Sequence, residues 1–369
     1  VKKVLIAFEF YRRPLLEGVF QYAKEMQWHL SLEMVNRPSD IPWGWQGDGV
    51  LAMLIHGDSD LLHFLKTLSL PTINLEGRAE YPYPRVRSDS VAGAKMVIDD
   101  MQQKGYRHFA FYGPKDSTRG RDFLLELEFR GLNGHHIMEE QVPWGEQLDI
   151  CARELTHLVG AENPPLAVYS WTDYSAANFI NMAQSLGYDI PKDIMVMGTD
   201  DEELVCESSA VRLSSLFTDL HGVGYLGAKQ LDAIMSQNKS VGDMTHPPAF
   251  IKERMSTSGL AIQSERLRQV VDAMKARFSQ GINVSDVVKL SGMSRRSLEH
   301  LFRAELGSTP RQILENIRLQ HAKNCLLDSQ DKIASISAAC GYSDPHNFSK
   351  VFKQHTGLSP KRFRETAKI

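Results

Sequence analysis

Two groups of side chains in this sequence have types and spacings suited to recognition rather than to bond making. The first group is Glu9 and Phe10, Asp89, Arg119 and Arg121, Asp173 and Asp200, each near the end of a short apolar run. Carboxylates combined with an arginine suit hydrogen bonding to vicinal hydroxyls, and an aromatic ring such as Phe10 stacks on the face of a sugar. Any one of them alone is as well explained by a helix cap or a loop carboxylate; their recurrence at successive run ends favours a binding site. The second group is Arg295, Arg296, Ser297, His300 and Arg303, together with Asp344, His346, Asn347, Lys350 and Lys353. These are side chains that read base edges by hydrogen bonding, mixed with cations that meet phosphates.

Catalytic patterns are missing. No G-x-G-x-x-G follows the first apolar run, and no phosphate-binding G-x-x-x-x-G-K-[ST], H-E-x-x-H or G-x-S-x-G occurs. The four cysteines, Cys151, Cys206, Cys325 and Cys340, stand far apart and in no ligand spacing with histidine, so they read as reduced thiols. The expectation is a binding protein with no catalytic residue, no metal and no cofactor. Acid and base work by two of the aspartates remains the enzymatic alternative.

The elements that must position the first group alternate. "KKVLIAF", "HLSLEMV", "GVLAMLI", "PTINLE", "HFAFYG", "LAVYSW" and "IMVMGTDD" read as strands, and "RPLLEGVFQYAKEM", "VAGAKMVIDDMQQKGY", "LDICARELTHLV" and "YSAANFINMAQSLGY" as helices. Short apolar strands alternating with amphipathic helices imply parallel sheets covered on both faces. One sheet would need too many strands, so two lobes are expected, with ligand beyond the strand C-termini.

The second group sits in an internal repeat. "GMSRRSLEHLFRAELGSTP" from Gly292 answers "GYSDPHNFSKVFKQHTGLSP" from Gly341, so that Phe302 corresponds to Phe352 and Pro310 to Pro360. In each copy a short helix ("VSDVVKL", "IASISAAC") leads to a turn glycine. Ser294 or Ser343 then caps a second helix, whose Leu298, Leu301 and Phe302, or Phe348, Val351 and Phe352, face inward. This is helix-turn-helix syntax. Thr309 and Pro310 open the helix "PRQILENIRLQHAKNCLL", long enough at about 1.5 Å per residue to hold two heads roughly one turn of duplex apart.

Charge divides the chain in the same place. Residues Glu265 to Ile369 carry 18 Lys and Arg against 10 Asp and Glu, whereas the first 264 residues carry 24 against 35, within a total of -3. A basic module that meets a polyanion is therefore joined to an acidic module that does not. The divisions expected are a two-lobed sugar-binding and dimerisation domain over 1–258, a linker over 259–266 and a DNA-binding domain over 267–369. The apolar start breaks at Glu9 and is followed by Arg12 and Arg13, which reads as a strand rather than a leader. No apolar run is long enough for a membrane, and a cytoplasmic location is expected.

At "RLQHAKNCLL", "SRRSLEHLFRAELG" and "ISAACGYSDPHNFSKVFKQHTGLSPKRFRE" the last hundred residues resemble the AraC-type DNA-binding domain. That resemblance implies that both second helices, Arg295 to Arg303 and Asp344 to Lys353, enter the major groove of one operator. "VRSDSVAGAKMVIDDMQQKGYRHFAFYGP", "SWTDYSAANF", "IMVMGTDDEEL" and "PPAFIKERMST" resemble the LacI-type regulator core, which is related to periplasmic sugar-binding proteins of type I. It implies sugar contacts at Asp89, at an arginine from Arg119 or Arg121, and at Asp173 and Asp200. The combination is similar to sugar-responsive regulators, and implies a homodimer, a pentose effector such as D-xylose and, for an activator, RNA polymerase as partner. A periplasmic-type sugar receptor is the other reading, and it has no use for the repeat.

Overall fold

A computed structural model of the chain describes residues 1–366 apart from 10, 36, 38, 39, 56–58, 160–164, 238–240 and 263. Elements in chain order are β1 (Lys3–Phe8), α1 (Arg13–Glu25), β2 (His29–Ser31), β3 (Gly49–Met53), α2 (Ser59–Leu68), β4 (Thr72–Leu75), β5 (Arg85–Ser88) and α3 (Ser90–Gln103). Next come β6 (His108–Gly113), α4 (Thr118–Phe129), β7 (Gly134–Met138), α5 (Trp144–Leu158), β8 (Leu166–Ser170), α6 (Asp173–Ser185), β9 (Ile194–Thr199) and α7 (Glu203–Ser208). Then follow β10 (Ser214–Phe217), α8 (Leu220–Gln237), β11 (Met244–His246) and β12 (Phe250–Lys252). The remainder is helical: α9 (Glu265–Arg277), α10 (Val284–Ser291), α11 (Arg295–Leu306), α12 (Pro310–Asp328), α13 (Ile333–Ala339), α14 (Pro345–Thr356) and α15 (Pro360–Thr366).

The chain falls into two compact units, 1–92 with 218–248, and 93–217 with 249–369. Unit 1 holds a six-stranded parallel sheet in the order β11-β5-β4-β3-β1-β2. Its central strands have to be apolar throughout because helices cover both faces, and every residue of Gly49–Met53 is buried. Helices α1 and α8 lie against each other so closely that a Cβ on Gly18 would stand 1.9 Å from the His221 carbonyl oxygen, and one on Gly224 2.0 Å from that of Leu15.

Unit 2 repeats the plan with a sheet in the order β12-β10-β9-β8-β6-β7, parallel except where β12 runs antiparallel to β10. Its core includes Phe109, Phe111, Phe123, Tyr169 and Met197 on one face and Tyr112, Phe179, Ile180 and Val196 on the other. The helical part of the unit has two cores of its own. Leu298, Phe302 and Ile313 pack with Val270 and Met274 of α9, and Phe348, Phe352 and Leu326 pack with Phe250 of β12.

Expected elements differ at their edges. Of "HLSLEMV" only His29–Ser31 joins the sheet. Strands β5 and β7, "RVRS" and "GHHIM", are too polar to stand out in sequence, and they form because a parallel neighbour supplies their backbone partners. Residues 118–121 form the first turn of α4 behind a Ser117 cap whose Oγ accepts the Gly120 N–H at 3.1 Å. The cysteines are free, with Cys151, Cys206 and Cys340 buried. No described helix is long and apolar enough to cross a membrane.

Candidate functional site

In each sheet the strand order reverses once, between β1 and β3 in unit 1 and between β6 and β8 in unit 2. At such a reversal the flanking loops leave in opposite directions and open a crevice beyond the strand C-termini. Glu9 stands at the reversal in unit 1. Its N–H donates to the Met53 carbonyl at 3.3 Å and its Oε2 accepts the Ile55 N–H at 2.8 Å. Phe10 lies outside the described residues.

Asp89 follows β5 and caps α3. Its Oδ1 accepts the Ala92 N–H at 2.9 Å, and the Thr245 hydroxyl lies 3.4 Å from its Oδ2. Two further polar residues at strand ends of this unit escaped the sequence reading. Asn74 is fully buried; its Oδ1 accepts the Leu54 N–H at 3.0 Å, and its Nδ2 has no partner. An amide in the middle of the apolar run "TINL" was the available signal. Glu76 adopts φ +52° and accepts both the backbone N–H and the hydroxyl of Ser88, at 2.5 and 2.7 Å.

In unit 2 one guanidinium joins three elements. Arg119, in the first turn of α4, donates from Nη1 to the carbonyl of Trp171 just past β8, and its Nη2 lies 3.5 Å from Asp200 Oδ1 just past β9. The two side chains are only 16% and 4% exposed, so the pair is sheltered from water. Arg121 instead turns to Asp122 at 3.0 Å with most of its side chain in solvent. The arginine left open by sequence is thus separated by geometry: Arg119 stands with Asp200, and Arg121 does not.

Backbone strain marks the same spot. Asp200 and Asp201 adopt φ +97° and +53°, a region L-residues rarely occupy unless their surroundings hold them there. Here the Asp200 N–H donates to the Leu216 carbonyl at 2.9 Å, the Asp201 N–H to Ser215 Oγ at 3.0 Å, and Asp201 Oδ1 accepts from Arg254 Nη1 at 2.8 Å.

Asp173 corrects an expectation. It opens α6 behind the Thr172 cap, but it has no exposed surface, and its Oδ2 accepts the Glu202 N–H at 2.7 Å. Burial, with the negative charge of Asp200 adding to it, pushes its pKa up to about 8. It is an interior acid that braces the Asp200 loop, not a surface carboxylate. Beside it Glu139, just past β7 and unnoticed in sequence, accepts the Ser175 hydroxyl at 2.7 Å and is raised above the usual carboxylate range by burial.

The helical part of unit 2 presents the second group. Helices α10 and α13 end at Gly292 and Gly341, whose φ of +62° and +75° make the sharp corner. Ser294 then caps α11, its Oγ accepting the Ser297 N–H at 3.2 Å. In the second copy the cap is Asp344 rather than Ser343. Its two oxygens accept the N–H groups of His346 and Asn347 at 2.9 and 3.2 Å, since a carboxylate serves two donors where a hydroxyl serves one. Asp344 therefore shapes the start of α14 rather than offering free acceptors to a base. Arg295, Arg296, Ser297, His300 and Arg303 of the first copy are exposed, as are His346, Asn347, Lys350 and Lys353 of the second. Arg295 is engaged by Glu299 at 3.0 Å; Pro345 occupies the first turn of α14, where no N–H is lost. Between the copies α12, capped by Thr309 in a reciprocal pair with Gln312, runs for 19 residues, about 28 Å.

Comparison with known proteins agrees with both halves. Residues 98–257 match the periplasmic binding protein-like domain family, and residues 287–366 the helix-turn-helix domain family. The chain is 27% identical to the xylose operon regulatory protein of Escherichia coli K12 over 96% of its own length and 94% of the relative's. It is 27% identical to that of Haemophilus influenzae over 97% and 96%. The solved structure of a xylose-binding transcription activator, xylR, aligns with 99% of this chain and 98% of its own at 25% identity and a TM-score of 0.59. The chain is a transcription regulator similar along nearly its whole length to these xylose regulators. The two groups of candidate residues accordingly fall in different parts, one at strand ends and the other on second helices.

Proposed function

We propose that the regulator is an activator that binds D-xylose at its strand ends and reads operator DNA through α11 and α14. The observation that carries the reading is likeness along nearly the whole chain to regulators of xylose operons, joined to a sheltered Arg119–Asp200 pair where a sugar crevice belongs. Arg119 and Asp200 grip sugar hydroxyls, as the strand-end carboxylates Glu9 and Asp89 are suited to do, and Asp173 and Arg254 hold the Asp200 loop in its strained form. Residues 1–258 bind sugar and pair two copies; residues 267–369 read DNA. The protein works in the cytoplasm as a homodimer, recruits RNA polymerase and catalyses no reaction.

A ligand shifts a conformational equilibrium only by binding one form better. A sugar held at these strand ends favours the form it fits, and that shift is the signal carried to the reader. The test is a pair of titrations on the full chain: pentoses and hexoses by calorimetry, and operator DNA by fluorescence anisotropy with and without saturating xylose. Saturable xylose binding that alters DNA affinity supports the reading. Tighter binding of another sugar would reassign the effector, and turnover of the sugar would overturn it.

A further inference from the structure

Inside unit 2, α3, β12, α9 and α12 enclose a cavity of about 310 Å³, the lower end of the size range of small-molecule sites. Apolar side chains including Phe250 and Ile317 form part of its wall, and three lysines line it: Lys104 just past α3, Lys275 on α9 and Lys323 on α12. Lys104 is matched, its Nζ lying 2.7 Å from Asp100 and 3.4 Å from Glu253. Asp99, also on the wall, is held by Arg130 at 2.5 Å.

The other two cations are not matched. Lys275 donates to the Ser258 carbonyl, which is neutral, and Lys323 has no hydrogen-bond or ion-pair partner among the described residues. Three ammonium groups thus share the carboxylates of Asp100 and Glu253, and Glu253 Oε2 is buried with no partner. Burial draws both Lys275 and Lys323 below the usual lysine range, outweighing the nearby carboxylates of Glu253 and Asp272 for the first and of Asp100 and Glu253 for the second.

We propose that this cavity is a second effector site, which takes a small organic anion whose carboxylate or phosphate pairs with Lys275 and Lys323 while its body rests on Phe250 and Ile317. An occupant touches the binding-protein-like sheet and the helix that joins the two reading heads, so it tightens one against the other.

The probes are inorganic phosphate, ribose 5-phosphate and benzoate, titrated into the full chain by calorimetry and thermal shift at constant ionic strength against chloride. At least one binds saturably, and the phosphate and carboxylate arms separate the two sources of negative charge. Lys323→Met and Lys275→Met each keep the length of the stem, and each weakens the probe by roughly tenfold or more, as loss of a charged hydrogen-bond partner demands. Arg121→Gln, an exposed cation of the same unit, leaves binding unchanged. Should one methionine variant fail to fold, the other carries the test. Absence of saturable binding by every probe, or equal binding by the parent and the folded methionine variants, overturns the site.

Discussion

The strand-end site of unit 2 and the reading helices of the same unit hold their polar groups in opposite ways. At the strand ends Arg119, Asp200, Asp173 and Arg254 are largely removed from water, Arg119 meeting Asp200, Arg254 meeting Asp201, and Asp173 accepting the Glu202 N–H. On α11 and α14 Arg296, Arg303, Lys350 and Lys353 are exposed, Arg295 is held only by the exposed Glu299 pair, and Ser294 and Asp344 are engaged by the backbone they cap. Burial makes the first set interdependent and sensitive to pH. Exposure leaves the second set nearly independent and sensitive to salt.

Breaking the buried pair is the severest test. Asp200→Ala leaves the sheltered Arg119 without its carboxylate and costs roughly 3 to 5 kcal/mol of stability, seen as a shift in the urea midpoint. Arg121→Ala, whose side chain is mostly in solvent, shifts it by less than about 0.5 kcal/mol. Equal effects would erase the distinction between the two arginines.

The second test is pH. Asp173 holds its proton more tightly folded than unfolded, so its contribution is complete below the unfolded value near 4 and disappears as pH rises through about 8. Between about pH 5.5 and about pH 7.5 it removes on the order of 2 to 3 kcal/mol. Asp173→Asn, neutral throughout, flattens that part of the stability profile; a slope unchanged in the variant would place the titration elsewhere.

On the reading face the effects are smaller and appear in DNA binding rather than in folding. Arg296→Ala costs about 1 to 3 kcal/mol of operator affinity and relaxes preference at one base pair if it meets a guanine, while Lys350→Ala lowers the salt slope by about one if it meets a phosphate. Neither changes sugar affinity. Anisotropy across a salt series distinguishes the two roles. Asp344→Ala is the mildest, with a loss of about 1 kcal/mol and faster hydrogen exchange at His346 and Asn347.

The reading helices were legible in sequence because everything that defines them is local. Leu298 and Phe302, or Phe348 and Phe352, mark the inward stripe by spacing alone, the turn glycines mark the corners, and the opposite face is exposed by elimination. Only the second cap was misplaced, by one residue, because serine and aspartate stand side by side and both cap helices. The strand-end site was legible only as a set of candidates. Sequence placed Asp173 and Asp200 near strand ends, but neither the burial of the first nor the strained φ of the second has a local signature. Glu139 was missed since it follows β7, too polar to announce itself, and Asn74 and Glu76, though inside the expected strand "PTINLE", because neither burial nor a positive φ has a local signature.

By itself the sequence determined the repeat, the exposed cations of α11 and α14, and the parallel sheets, since charge and period are properties of neighbouring residues. Tertiary structure alone decided that Arg119 rather than Arg121 stands with Asp200, that Asp173 is an interior acid, and that Lys275 and Lys323 share a cavity. Those facts depend on groups tens of residues apart being brought together with water removed, and it is the removal of water that gives such pairs their strength and their shifted pKa values.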